Sequence, residues 1–260
     1  MDLKIISTDL LIPFLQEIPT GLEIAFDNLK DAAISTEKFS FYTSVSSVYS
    51  SKIEGEDIEL DSYINHKKYG FEFLPDYTKR TDDLYNAYNF AKENLLNRNT
   101  IIDVHKILTK NILPVSKQGA IRTQNMYVTN SEGSIEYVAA APDEVEPAME
   151  DLYIDVAFLI KQNLTLHEVF FFAAMLHLVF VKIHPFNDGN GRTARLLEKW
   201  FIAQKLGENA WFIKSEKYYY DHLKDYYKNI RLLGIEYENL DYSKVLPFLL
   251  MLPKSLIKNN

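Results

Sequence analysis

Twelve residues, His184 to Arg195 in the order HPFNDGNGRTAR, gather a base, a carboxylate, two glycines and two arginines into a single short loop. That set suits polyphosphate chemistry. Gly189 and Gly191 leave the backbone N–H groups between them free of side-chain obstruction, and the TARLLEKWF that follows reads as a helix whose N-terminus is aimed at the same spot. The turn therefore carries an anion site. Arg192 and Arg195 fall on one face of the first helical turn, where both can fork onto phosphate oxygens. Asp188 is a hard oxygen ligand suited to the Mg²⁺ that accompanies a nucleotide. His184, followed by Pro185, supplies a group that titrates near neutral pH at the loop entrance.

The elements that must position this loop read mostly as helices. Thr165 and Glu168 form a capping box ahead of the apolar run from Val169 to Val181, which leads into His184. His177 interrupts that run as a hydrogen-bonded core residue, and the run is shorter than the roughly 20 residues a membrane span needs. Further helix starts are expected at Thr81, ahead of Asp82 and Asp83, and at Thr100, in a helix that Pro114 ends after Leu113. Pro142 opens another in its first turn, and Ser215 begins a tyrosine-rich helix through about Arg231. Between Met126 and Val138, MYV and IEYV flank the turn residues Asn130, Ser131, Glu132, Gly133 and Ser134, the pattern of a hairpin. A soft boundary near Asn97 to Thr100 divides the chain into residues 1–98, an N-terminal helical segment, and 99–260, the core that carries the loop.

Gly189, Gly191 and Ala194 also fit the G-x-G-x-x-A of a dinucleotide-binding turn. The helical capping box before them and the lack of alternating strands after them argue against a doubly wound sheet. A second charged feature is SSKIEG, Ser50 to Gly55, where Gly55 reads as a helix stop and places Glu54 in the last turn. The helix dipole disfavours a carboxylate there, so Glu54 calls for a cation. Glu56, Asp57 and Glu59 continue as a solvated acidic run.

Composition narrows the classes. The chain has 260 residues, 47% of them hydrophobic and 13% aromatic, enough for a packed core. The absence of cysteine excludes disulfides, thiolate metal sites and cysteine nucleophiles, and fits a cytoplasmic setting. A net charge of −8 argues against a nucleic-acid surface, and the N-terminus lacks the pattern of a signal peptide, so neither nucleic acid nor membrane is expected as a partner.

The loop resembles the HPFx[D/E]GNGRxxR signature of the Fic family at every fixed position. The resemblance extends over about Phe39 to Leu249 and implies an all-α bundle with a small β-hairpin flap. It also implies transfer of AMP from ATP, with Mg²⁺, to a Ser, Thr or Tyr hydroxyl of a target protein docked at that flap. His184 would be the base and Asp188 the metal ligand. Gly189, Asn190, Gly191 and Arg192 would hold phosphates, with Arg195 on the γ-phosphate. SSKIEG is similar to the family's inhibitory motif [S/T]xxxE[G/N], which implies that Glu54 pairs with Arg195. QGAIRTQNMYV resembles the flap and its G-x-x-R approach, here Gly119 and Arg122, so Met126, Tyr127 and Val128 are candidate contacts. Tyr226 and Tyr227 are candidates for the adenine wall. Gly191 stands where phosphorylating Doc-type relatives carry Lys, which favours AMP transfer. The alternatives are transfer of another phosphate-bearing group, or a nucleotide-binding regulator with little turnover; the tail after Leu249 is too short for the winged helix of DNA-binding relatives.

Overall fold

The computed structural model describes residues 2–73, 75–129 and 135–257. The expected hairpin turn, Asn130 to Ser134, lies outside the described residues. Helices dominate, beginning with α1 (Leu11–Glu17), α2 (Leu22–Asp27), α3 (Phe41–Ile53), α4 (Leu60–Tyr69), α5 (Pro75–Glu93) and α6 (Arg98–Leu108). An antiparallel pair, β1 (Tyr127–Thr129) and β2 (Ile135–Val138), follows, and then α7 (Pro142–Lys161), α8 (Leu166–Ile183) and α9 (Asn190–Leu206). The chain closes with α10 (Ser215–Asp221), α11 (Leu223–Arg231), α12 (Leu246–Leu249) and α13 (Met251–Lys254). The all-α fold with a small hairpin is as the sequence implies.

α8 is the axis of the bundle. It is long and apolar enough by composition to cross a bilayer, but 78% of it is buried inside the molecule, which marks it as a core helix. Its capping box forms as expected: Glu168 N–H reaches Thr165 Oγ1, and Thr165 N–H reaches Glu168 Oε2. α9 packs along α8, with α7, α1, α12 and α13 around them. One cluster of buried apolar side chains runs from Ile6 through Phe14, Phe170 and Trp200 to Leu252, so it crosses the 98/99 boundary. Asp155 of α7 reinforces that continuity by accepting the backbone N–H groups of Lys4, Ile5 and Ile6 at 2.7–2.9 Å.

Three expected boundaries move. Thr81 lies inside α5 rather than at its start, because Pro75 and Asp76 already supply a first turn; the Thr81 hydroxyl instead donates to Ser51 Oγ. α6 is capped by Asn97, with Thr100 as the third residue of the capping box, and it ends at Leu108, well short of Pro114. The Ser215 helix breaks at His222, whose backbone leaves the helical region (φ −117°, ψ 38°), giving α10 and α11.

α3 delivers Glu54. Its serines let it press closely against α5, α9 and α10, and each buried hydroxyl is satisfied. Ser44 and Ser47 bond back to the carbonyls of Ser40 and Thr43, while Ser46 and Ser50 meet side chains of α9 and α10. Glu54 is the C-cap, followed by Gly55 at φ +86°.

Candidate active site

α8 ends abruptly at His184, the single non-glycine residue with positive φ (53°) among the described residues. The reversal is held by Arg122, a buried cation whose partners are carbonyls. Its Nε donates to His184 O at 2.7 Å, and its Nη2 donates to Ala140 O at 2.6 Å and Ile183 O at 3.2 Å. Arg122 thereby ties the hairpin's approach to the loop. Phe186 is fully buried and stacks on His105, ring centroids 3.7 Å apart. Gly119 N–H donates to His105 Nδ1 at 2.8 Å, so the ring hydrogen lies on Nε2, which donates to Asp188 O at 2.9 Å. Gly189 follows in the left-handed region (φ 79°), and a Cβ there would sit 2.7 Å from Thr109 Cγ2, so only glycine fits.

His184 Nδ1 lies 3.2 Å from Val181 O. A carbonyl only accepts, so Nδ1 carries the hydrogen and Nε2 keeps its lone pair, on a ring that lines a cavity. Burial pushes the ring's pKa down to about 4, with Arg122 adding to the effect and the Val181 carbonyl, Glu54 and Asp188 opposing it. The imidazole is therefore neutral at pH 7 and able to take a proton.

Arg195 is buried at 1% exposure and fully engaged. Its Nε donates to Ser50 Oγ (2.9 Å), its Nη2 to Ser50 O (3.1 Å) and Glu54 Oε1 (2.6 Å), and its Nη1 to the Tyr226 hydroxyl (3.4 Å). Burial alone would raise the Glu54 pKa, but Arg195 and then Arg192 outweigh it and hold the carboxyl below its ordinary range. Glu54 also lies directly on Gly191, where an added Cβ would collide with its Oε1. A carboxylate thus sits over the first turn of α9, whose leading N–H groups have no acceptor within the helix. Arg192 turns the other way, its Nη2 3.1 Å from Glu56 Oε1. Glu56 is therefore no member of a solvated run: two cations converge on it, because Arg80 Nη1 stands 2.8 Å from the same oxygen.

Val128, Val181, Lys182, Tyr226, Tyr227 and Ile230 join His184, Gly191, Arg195 and Glu54 around a cavity of about 440 Å³. Residues 95–202 match the Fic/DOC family. The chain carries a Fic domain. The protein adenylyltransferase Fic of Aedes aegypti is 29% identical over 140 residues, 54% of this chain and 26% of that protein. Its counterpart in Nematostella vectensis is 33% identical over 112 residues, 43% of this chain and 24% of that protein. This chain thus spans about a quarter of the curated relatives it matches. The crystal structure of a Fic family protein from Desulfovibrio desulfuricans superposes with a TM-score of 0.74 at 18% identity, over 96% of this chain and 72% of that one, a likeness of fold.

Within the Fic domain not every expected residue faces the cavity. Asn190 is buried, and its amide is spent on closing the loop: Oδ1 accepts Phe186 N–H at 2.9 Å and Nδ2 donates to Phe186 O at 2.8 Å. Its side chain thereby closes the loop, with Oδ1 and one Nδ2 hydrogen both engaged by Phe186. Val128 lines the cavity, whereas Met126 and Tyr127 border a separate hollow with Glu236 and Tyr237. Tyr226 presents its ring while its hydroxyl meets His177 Nε2 at 2.9 Å; His177 Nδ1 in turn lies 2.7 Å from buried Glu198. Tyr227 donates to Ile53 O at 3.1 Å and so pins the end of α3. Asp188 is exposed beside the cavity; among the described residues no group of three or more metal-ligating side chains forms around it.

The roles of His105, Glu56, Arg80 and Lys182 are not marked in the sequence. His105 sits 83 residues before the backbone it holds, so no local pattern links the two. Lys182 is buried over the Tyr137 ring at 3.9 Å with its pKa pushed down to about 8 by burial, yet reads in sequence as an ordinary helix-end cation.

Proposed function

We propose that this Fic domain transfers AMP from ATP to a Ser, Thr or Tyr hydroxyl of a target protein, and that Glu54 holds it in a resting form. One observation carries the reading: a neutral His184 with Nε2 free as acceptor shares a cavity with the α9 N-terminus, and a carboxylate from α3 occupies that N-terminus. The names of the curated relatives support the reaction type. His184 Nε2 takes the proton as the target oxygen forms its bond to the α-phosphorus, and the bond to pyrophosphate breaks. Backbone N–H groups of the first turn of α9 meet phosphate oxygens, with Arg192 and Arg195 on the outer phosphates. Mg²⁺ fits this donor set, since it is commonly bound by one or two carboxylates together with substrate phosphates, and Asp188 would be the protein ligand. Bound, it offsets phosphate charge. Val128 and the β1 edge offer strand addition to a target segment, beside His184. Tyr226, Tyr227 and Ile230 form the wall for the adenine.

Glu54 competes with the triphosphate for both Arg195 and the helix N-terminus. Glu54→Gly should therefore raise incorporation of label from α-labelled ATP into the chain itself or a target, and adding Arg195→Ala should return it to the resting level. A Glu54→Gly chain that binds ATP without any transfer would favour the nucleotide-binding regulator instead.

A further inference from the structure

Glu54 is not the only carboxylate on a loop arginine. Two residues on, Glu56 is fixed by its own N–H bond to Ser51 O (3.1 Å), and its Oε1 accepts from both Arg192 Nη2 (3.1 Å) and Arg80 Nη1 (2.8 Å). Arg80 belongs to α5, outside the loop and outside the matched family segment. Its side chain is half exposed, and the charge of Asp188 reaches it as well as that of Glu56. Arg192 is buried at 4% exposure, yet its Nε has no acceptor at all. A buried guanidinium N–H without a partner is costly, and here it marks a place built for an additional anionic oxygen.

The two guanidinium nitrogens sit close enough to one oxygen to share a single phosphoryl group, which has three oxygens where the carboxylate has two. Arg192 can then turn its idle Nε to a phosphate oxygen while Arg80 takes another. Glu56 is a part-exposed side chain beyond a glycine in the left-handed region, so it can leave without disturbing α3. The hollow beside it, bordered by Asp76, Lys79, Arg80 and Asn111, is open to receive it.

We infer that Arg80 is a third polyphosphate-binding arginine, reaching the terminal phosphate of a nucleoside triphosphate from α5, and that Glu56 holds its place in the resting chain. The inference rests on the nucleotide reading of the cavity. It separates nucleotides by their tails: Arg80 acts on a triphosphate and is out of reach of a monophosphate.

The test is calorimetric titration of ATP and AMP, with Mg²⁺, into the Glu54→Gly chain with and without Arg80→Ala. Arg80→Ala should weaken ATP by about tenfold, the scale of one partly exposed charge-assisted contact, and leave AMP unchanged. Glu56→Gln in the same background should tighten ATP several-fold, again without effect on AMP. Unchanged ATP affinity in Arg80→Ala, or equal weakening of ATP and AMP, would overturn the inference while leaving the nucleotide reading intact. No ATP binding by the Glu54→Gly chain itself would overturn both.

Discussion

Removing the Glu54 carboxylate should change stability in a way that ATP reverses. Arg195 is 1% exposed, and breaking a buried pair by deleting one partner costs about 3–5 kcal/mol. Here Ser50 Oγ, Ser50 O and the Tyr226 hydroxyl go on accepting from the guanidinium, and water enters the space Glu54 leaves, which brings the loss to about 2–3 kcal/mol. Glycine at the helix end adds at most about 1 kcal/mol through the unfolded chain. For a chain of this size about 1 kcal/mol moves Tm by roughly 2–4 °C, so Glu54→Gly should melt roughly 4–16 °C lower than wild type. ATP at about a hundred times its Kd returns about 2.7 kcal/mol, most of that loss. In the wild-type chain ATP must first displace Glu54, so its Tm should rise much less. Thermal melts by circular dichroism, with and without ATP and Mg²⁺, read all four states. Equal ATP-induced shifts in wild type and Glu54→Gly would refute the competition between carboxylate and nucleotide.

Further outcomes follow from the same geometry. His184→Ala should abolish transfer by the Glu54→Gly chain while ATP binding, read by calorimetry, stays within about twofold, because the ring acts on the hydroxyl; retained transfer would remove its role as base. The acid limb of that transfer should lie well below pH 6.5, since the ring stays neutral down to about pH 4. Asp188→Ala should lose transfer that extra Mg²⁺ only partly restores, and full activity at ordinary Mg²⁺ would free Asp188 from the metal. His105, neutral and buried with its pKa pushed down to about 4, cannot take the proton the unfolded chain takes near 6.5. Its contribution is therefore full above pH 6.5 and lost as pH falls toward 4, by about 3 kcal/mol; His105→Gln should remove that part of the decline in denaturant-measured stability and leave the like part from His184.

What was legible in the sequence was what neighbouring residues decide. The capping box of Thr165 and Glu168, the apolar run of α8 and the glycines of the loop are local patterns, and they gave the helix–loop–helix at the centre of the fold. The Glu54–Arg195 contact was legible for a different reason: a carboxylate at a helix C-terminus needs a cation, and the family resemblance supplied one. Partnerships between distant segments were not legible. Nothing near Glu56 announces Arg80 or Arg192, and an acidic stretch looks the same whether water or arginine faces it. Asn190 shows the opposite case: an amide between two glycines reads as a ligand, but the backbone N–H and C=O of buried Phe186, otherwise unpaired among the described residues, engage both its ends. Thr81 misled because a good capping residue inside a helix can spend its hydroxyl on a neighbouring helix instead.

AMP transfer in the His184 cavity requires attack on the α-phosphorus of ATP rather than the γ-phosphorus. The Glu54→Gly chain, incubated in parallel with ATP labelled at the α- or the γ-phosphate, tests this by which label becomes covalently attached to protein. Attachment of the α-label alone is expected, lost again when His184→Ala is added. Attachment of the γ-label, or α-labelling that survives His184→Ala, would contradict it.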